Sequence, residues 1–470
     1  MVTGVGAPSR QPLLLDGGRR VRFHIITLGC PKNTVDSEMM AELLRRAGHV
    51  QVNQPRKAEV LVVNTCGFIA SAREESYAAL RELAASKGRR QWLVAAGCLA
   101  QRDGEGLRRQ VPEVDALIGT QSWPEIVTLF RRLEAQGRAR VPCDLLGQEG
   151  NLVASVPRRA TLGATAYLKI ADGCDAACSF CAIPLIKGPQ RSKPSADVLR
   201  EAQELAAQGV REVVLIAQDT TAYGRDRSEG DALPGLLRAL SREVPSLDWL
   251  RILYAYPQHI TPQLVEAMAG LPQVCHYLDL PLQHGHPDVL RRMNRPHNVE
   301  AIYRLIAGLR EAVPDIALRS SFIVGFPGEA EKEFEALLDF MRAIAFDKVG
   351  VFAYSAEEGT PAALMPDQVP AEVIAERHER AMLVQQGISL RRNQEQVGSE
   401  LPILVEGVGQ GLTVGRSYRE APEIDGVVLL RGEAGVGEFV RGRIVSAQEY
   451  DLVAELLRWP KTFVHQGVAV

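Results

Sequence analysis

The residues best suited to chemistry are the cysteines, and their spacing matters more than their number. Cys174-Asp-Ala-Ala-Cys178-Ser-Phe-Cys181 places three thiols within eight residues. A zinc site would ordinarily find a fourth ligand close by. Here no fourth Cys follows, and the nearest His residues are far along the chain. Three soft thiolates with no fourth protein ligand suit a 4Fe–4S cluster whose last iron is open, and an open iron can chelate a small molecule. The competing reading is a zinc knuckle or three unliganded thiols.

A second set is spread along the first hundred residues: Leu28-Gly29-Cys30, Asn64-Thr65-Cys66-Gly67 and Ala96-Gly97-Cys98. Each Cys follows a compact apolar run and sits beside a Gly, where the backbone can approach a bulky group. One such Cys alone would read as a buried structural thiol. Three at equivalent positions point to a second three-thiolate centre. Cys143 and Cys275 have no partner thiol in sequence and read as non-ligands. Eight cysteines in 470 residues are too few for a disulfide framework.

The elements that must position these thiols alternate. Strands over Arg22–Leu28, Val60–Val63 and Trp92–Ala96 are separated by helical periodicity at Val35–Ala47 and Ile69–Ala84, which predicts a parallel sheet covered on both faces. Its strands' carboxyl ends would bring Cys30, Cys66 and Cys98 to one edge. Pro142–Ala164 has few periodic positions and reads as a linker, with Cys143 in it. Six further strands follow, at Ala166–Ala171, Val213–Ala217, Trp249–Leu253, Tyr277–Leu280, Ala317–Val324 and Val349–Tyr354. Ser195 is expected to cap a helix ending at Gly209, and Thr261-Pro262 and Pro287 mark two more helix starts. Six βα units are too few for an eightfold barrel and fit a partial one, with its working face at the strands' carboxyl ends. Helical sequence from Pro370 to Arg392 then gives way to five short β runs divided by Gly-rich turns, the pattern of a small antiparallel barrel. Gln218 and Asp219 after the second barrel strand, and Gly325, Gly328 and Glu329 after the fifth, are candidate cofactor contacts. His284 and His286 follow the fourth strand, where a substrate role competes with a structural one.

The Cys-x3-Cys-x2-Cys loop, with Phe180 before its last Cys and a partial βα barrel behind it, resembles the radical S-adenosylmethionine superfamily. In that superfamily the open iron binds the amino and carboxylate groups of S-adenosylmethionine, and an electron from the cluster cleaves it to a 5′-deoxyadenosyl radical. The two cysteine sets in this order resemble the methylthiotransferase family over about Val21 to Glu455. Thr27-Leu-Gly-Cys-Pro-Lys-Asn33, Asn64-Thr-Cys-Gly-Phe68, Cys181-Ala-Ile-Pro184 and Gly325-Phe-Pro-Gly-Glu329 carry the likeness. It implies an N-terminal iron–sulfur domain (21–140), a radical core (160–392) and a C-terminal TRAM barrel (395–465). It further implies S-adenosylmethionine and two 4Fe–4S clusters, one on Cys30, Cys66 and Cys98 and one on Cys174, Cys178 and Cys181, with an electron donor such as a flavodoxin or ferredoxin. Lys187 and Lys193 depart from the Arg expected after the cluster loop, keeping charge but losing a bidentate fork.

One branch of that family modifies an adenosine in transfer RNA, the other an aspartate of small-subunit ribosomal protein uS12, free or in the ribosome. The formal charge of −3 disfavours a protein that coats nucleic acid. From Val397 onward there are seven Arg and Lys against ten Asp and Glu. An acidic barrel favours a basic protein target, and Gly415 to Gly426 also looks like the ribosomal-protein branch. On this reading Glu420, Glu423 and Asp425 are expected to dock the ribosomal protein. No run reaches the ~18 apolar residues of a membrane helix, and Met1 to Arg20 lacks a secretory signal's apolar region, so the expected location is the cytoplasm. Two readings outside the family remain: another radical enzyme, with no use for Cys30, Cys66 and Cys98, or a non-catalytic metal-binding module.

Overall fold

In the computed structural model the described residues are 19–136, 143–147, 156–229, 232–409 and 411–457. The chain divides into two compact units, one of residues 1–159 with 183–189 and the other of 160–182 with 190–470.

In the first unit the strands are β1 (Arg22–Thr27), β2 (Val50–Gln51), β3 (Val60–Thr65), β4 (Trp92–Gly97), β5 (Ala116–Gly119) and β6 (Cys143–Leu145). They form one sheet in the order β2-β1-β3-β4-β5-β6, and every pairing is parallel. All six residues of the central β3 are buried, as a strand covered on both faces demands. The helices are α1 (Pro31–Arg46), α2 (Ala70–Ser86), α3 (Cys98–Gln110) and α4 (Ile126–Gln136). Leu61, Val63, Leu93 and Ala95 pack with Tyr77, Leu80 and Leu83 of α2 and Leu99 and Leu107 of α3. One expectation is corrected: Cys143 is not in a linker but opens the edge strand β6, buried, because the segment pairs with β5.

The second unit opens with β7 (Thr165–Lys169), followed by a two-stranded ribbon of β8 (Ala171–Asp172) and β9 (Arg191–Ser192) around the cysteine loop. The short α5 (Ile183–Lys187) interrupts it and belongs to the first unit. Next come α6 (Ser195–Ala206), β10 (Glu212–Ile216), α7 (Ala232–Glu243), β11 (Trp249–Ile252), α8 (Pro262–Gly270), β12 (Val274–Asp279), α9 (Pro287–Arg292), α10 (Val299–Ala312), β13 (Ala317–Val324), α11 (Glu331–Ile344) and β14 (Lys348–Ala353). The six long strands lie in sequential order β7-β10-β11-β12-β13-β14, all parallel. This open sheet is the partial barrel that six βα units allow.

Alternate residues on these strands divide the sheet's two faces. Leu168, Val213, Leu215, Leu250, Ile252 and Leu278 join the apolar core with the helices. Tyr167, Glu212, Arg251, Tyr277, Asp279 and Arg319 fall on the opposite face and are mostly polar. Thr261 caps α8 as expected, accepting from the Leu264 N–H at 3.2 Å. Ser195 does not cap α6. Pro194 takes the capping position and Ser195 becomes the first helical residue.

The long α12 (Ala371–Gln394) leads to β15 (Glu400–Gly409), β16 (Leu412–Arg416), β17 (Val428–Arg431), β18 (Phe439–Ala447) and β19 (Leu452–Leu457). They close into a barrel, β15-β16-β17-β19-β18. Its pairings are antiparallel except β17 with β19, which run parallel.

Candidate active site

In the first unit β1, β3 and β4 are neighbours. Cys30 caps α1 soon after β1, Cys66 directly follows β3, and Cys98 begins α3 where β4 ends. Asn33, in the first turn of α1, ties the three loops together. Its Nδ2 donates to the carbonyls of Leu28 (2.8 Å) and Thr65 (3.1 Å), and its Oδ1 lies 4.0 Å from Cys98 Sγ. Asn64 completes the link by donating to the Asn33 carbonyl at 2.9 Å. The adjacent glycines are needed for this approach. A Cβ on Gly29 (φ +86°) would stand 2.6 Å from Cys66 Cβ, and one on Gly97 (φ +90°) 2.3 Å from Asn64 Oδ1. Burial pushes the Cys66 thiol up, and Cys30 adds to this, while the Phe68 N–H and the Lys187 ammonium oppose it. Lys187 is itself buried and pairs with Asp36 at 3.9 Å.

The cysteine loop of the second unit follows β8. The Cys181 N–H donates to the Cys178 carbonyl at 3.1 Å. The end of α9 grips the loop from outside: Ser179 N donates to the Met293 carbonyl (3.0 Å), Ser179 Oγ to that of Arg292 (2.8 Å), and Asn294 Nδ2 to that of Ala177 (2.8 Å). Burial, followed by the charges of Asp219 and Cys178, pushes the Cys174 thiol up to about 11, against the Ala176 N–H. A thiolate here needs a bound cation to hold its charge.

The two cysteine sets fit clusters better than single ions. Zinc–sulfur bonds of about 2.3 Å put tetrahedral sulfurs about 3.8 Å apart. Among the described residues, the one group of three such donors with all ligand atoms within 4.8 Å of one another is His286, Asp288 and Glu333, which includes no cysteine. That group is committed elsewhere: His286 caps α9, Asp288 pairs with Arg291, and Glu333 accepts from the Ala330 N–H. Wider-spaced thiols that share a loop or a sheet edge match a larger inorganic core.

At the carboxyl edge of the second sheet, Gln218 Nε2 donates to Asp172 Oδ1 (2.8 Å), and Lys169 Nζ lies 3.3 Å from Asp172 Oδ2. Asp219 accepts from Thr221 Oγ1 (2.7 Å) and the Ala222 N–H (3.1 Å), while its other oxygen meets His259 Nδ1 at 2.7 Å. The Tyr256 ring stacks near His259 and lies under the Arg295 guanidinium, 4.1 Å from the ring centre. A cavity of about 590 Å³ adjoins the cysteine loop, lined by Ala177, Tyr256, Gln258, Arg295, His297 and Asn298. Tyr256, His259 and Arg295 were not singled out from sequence. Tyr256 and His259 lie in a polar aromatic stretch directly after β11, which marks a candidate loop without revealing what it faces. Arg295, beyond α9, carries no such signal.

The turn Gly325 to Glu329 directs its polar groups inward. Glu329 is buried and its Oε1 accepts from the Gly325 N–H (3.0 Å) and Arg377 (3.0 Å). Gly328 N donates to the Asp367 carbonyl (2.8 Å), and its own carbonyl accepts from Arg292 (3.0 Å). His284 is wholly buried, with Nδ1 accepting from the His286 N–H (3.0 Å) and Nε2 3.3 Å from Glu329 Oε2. Its surroundings are structural. Lys193 is likewise consumed, pairing with Glu201 at 2.5 Å in a fully buried site.

Glu420 and Asp425, expected to dock a ribosomal protein, have buried side chains engaged within the chain, and the expectation is corrected for these two, while Glu423 stays exposed. Glu420 is buried and accepts from Ser417 Oγ (2.6 Å), Glu423 accepts from Tyr167 Oη (2.7 Å), and Asp425 accepts from Tyr277 Oη (2.7 Å). Arg319 bridges Asp279 (2.8 Å) and Asp425 (3.4 Å). The loop between β16 and β17 thus fastens the barrel to the polar face of the sheet.

Residues 22–119 match the model of uncharacterized protein family UPF0004, 168–341 that of the radical SAM superfamily, and 397–457 that of the TRAM domain. The ribosomal protein uS12 methylthiotransferase RimO of Roseiflexus sp. (strain RS-1) is 49% identical over 463 residues, covering 94% of this chain and 98% of the relative. Its namesake from Symbiobacterium thermophilum is 51% identical, covering 93% and 91%. Among solved structures, the radical S-adenosylmethionine methyltransferase TsrM from Kitasatospora setae has a TM-score of 0.54 at 14% identity, covering 84% of this chain and 81% of that one. That is a likeness of fold. Together with the two cysteine sets, these matches define a radical S-adenosylmethionine methylthiotransferase, an enzyme class whose cofactors are two 4Fe–4S clusters and S-adenosylmethionine. The chain belongs to the ribosomal protein uS12 methylthiotransferase RimO family.

Proposed function

We propose that this chain inserts a methylthio group at the β-carbon of an aspartate in small-subunit ribosomal protein uS12. The observation that carries the chemistry is the presence of two three-cysteine sets at the carboxyl edges of two parallel sheets. The names of relatives at 49% and 51% identity support the target and disfavour transfer RNA. Cys174, Cys178 and Cys181 hold one cluster, and Cys30, Cys66 and Cys98 the other. When bound, the first cluster supplies the electron that cleaves S-adenosylmethionine.

The chain's own residues bind and orient. Gln218 and Asp219 present a polar edge beside the cysteine loop, held in place by Asp172, Thr221 and His259. Gly325 and Gly328 shape the neighbouring turn, and Glu329 acts by fixing that turn to Arg377. Asn33 sets the spacing of the three N-terminal cysteine loops. Among the described residues no helix is long and apolar enough to cross a membrane. We place the enzyme in the cytoplasm with a flavodoxin or ferredoxin as electron donor. The test offers purified, reduced enzyme either uS12 or unmodified transfer RNA and measures the mass gained by each. Methylthio addition to the RNA alone would overturn the target.

A further inference from the structure

Arg295 brings a cation to the radical-cluster loop from outside its cysteines. It is 7% exposed, and its NH1 lies 3.7 Å from Cys178 Sγ. NH2 donates to the Pro281 carbonyl, and the Tyr256 ring supports the guanidinium plane from 4.1 Å. Nε is buried with no hydrogen-bond partner. The backbone is fixed to match: Asn294 adopts φ +53° while holding the Ala177 carbonyl, and Arg295 N donates to the Leu290 carbonyl at 2.8 Å. The same short segment therefore grips the loop and aims one positive charge at one ligand sulfur.

We propose that Arg295 is a positioning residue that sets the reduction potential of the radical cluster through Cys178. This rests on the proposed ligation by Cys174, Cys178 and Cys181. Hydrogen bonds and charge at cluster sulfurs are principal determinants of potential. Reduction adds one negative charge to the cluster, so a fixed guanidinium at Cys178 stabilises the reduced form and raises the potential. The ring of Tyr256 limits the guanidinium's freedom, and burial keeps solvent from screening its charge.

The experiment is an anaerobic potentiometric titration of full-length, cluster-loaded enzyme, followed by electron paramagnetic resonance. The signal that changes on adding S-adenosylmethionine identifies the radical cluster, and the other cluster serves as an internal standard. Arg295→Gln should shift the radical cluster to a more negative potential and leave the standard in place. Arg295→Lys should return most of the shift, because charge rather than fork geometry carries the effect. Equal potentials in wild type and Arg295→Gln would overturn the proposal, as would an equal shift of both clusters. If neither Gln nor Lys variant loads the cluster, Arg295 serves loop folding alone, and the proposal fails. Failure of the ligation reading is separately visible: Cys178→Ala would then load both clusters with wild-type iron content.

Discussion

Glu212 lies at the amino end of β10, wholly buried between two guanidiniums, and its loss should destabilise the second unit by an amount the structure sets. Arg416 NH2 lies 2.5 Å and Arg251 Nε 2.7 Å from its carboxylate, and Thr165 Oγ1 donates to it at 3.0 Å. Burial alone would push the Glu212 carboxyl up, but Arg416 and Arg251 overcome it and hold it down at about 2, against an ordinary 4.5. At about 1.4 kcal/mol per pH unit this fall is worth about 3 kcal/mol. Because the folded value is depressed, the stabilisation is complete above about pH 4.5 and is lost as pH falls toward 2. Glu212→Gln removes that charge and leaves two buried arginines facing each other, a change of the kind that costs about 3–5 kcal/mol. With an unfolding entropy of about 2 cal/mol/K per residue, a unit of about 300 residues should lose about 5–8 °C in melting temperature.

The assay is anaerobic thermal unfolding of wild type, Glu212→Gln and Glu212→Gln/Arg416→Met. The double variant should recover part of the loss, since it removes one of the two buried guanidiniums that the missing carboxylate had separated, although Arg416 keeps Glu406 at 2.7 Å in the single variant. Cluster content at low temperature should be unchanged, because Glu212 and the Gln218–Asp219 edge stand at opposite ends of the strand. A shift below about 2 °C, or a double variant weaker than the single one, would refute the reasoning.

Cys178→Ala should abolish reductive cleavage of S-adenosylmethionine while the N-terminal cluster survives, with 5′-deoxyadenosine production as the measurement. Replacing Cys30, Cys66 and Cys98 together with Ala should leave that cleavage partly intact and eliminate methylthiolated product, read by mass spectrometry. Asn33→Ala should lower iron content at the N-terminal site alone, because its amide holds the three cysteine loops in register.

Much of this architecture was legible in sequence, for a physical reason. Parallel strands buried on both faces read as apolar runs, and β3, β4, β10 and β13 could be bounded to within a residue or two. The cysteine loops were legible because chemistry restricts residue type, and glycine beside cysteine marked close approach. The short edge strands β2 and β6 were missed, having too few residues to show a period. Tyr256, His259 and Arg295 were missed for another reason: their roles depend on which loop faces them, and spacing along the chain does not carry that. The Gly325–Glu329 turn was noticed, but sequence could not tell whether its polar groups point toward a ligand or into the protein.

The acidic loop between β16 and β17 shows how a charge count can mislead. Counted with the rest of the barrel it looks like a docking patch for a basic partner. In the structure each of its acids meets a strand residue or its own loop: Glu420 lies 3.9 Å from Lys348, Glu423 meets Tyr167, and Asp425 meets Tyr277 and Arg319. Arg416 and Arg419 add ion pairs to Glu212 and Asp347. These contacts involve the amino-terminal starts or middles of the strands, whereas the cysteine loop and its neighbours follow the carboxyl ends. In βα architectures that division separates residues that hold the fold from residues that do chemistry. Reversing Glu420, Glu423 and Asp425 to Lys should therefore act first on stability. Buried like charges would face Lys348 and Arg319, and the barrel should loosen from the sheet, seen as a lower melting temperature and faster proteolysis near Gly426. If the triple variant melted like wild type yet lost only uS12 modification, the acids would be docking charges after all, and the fastening role would be wrong.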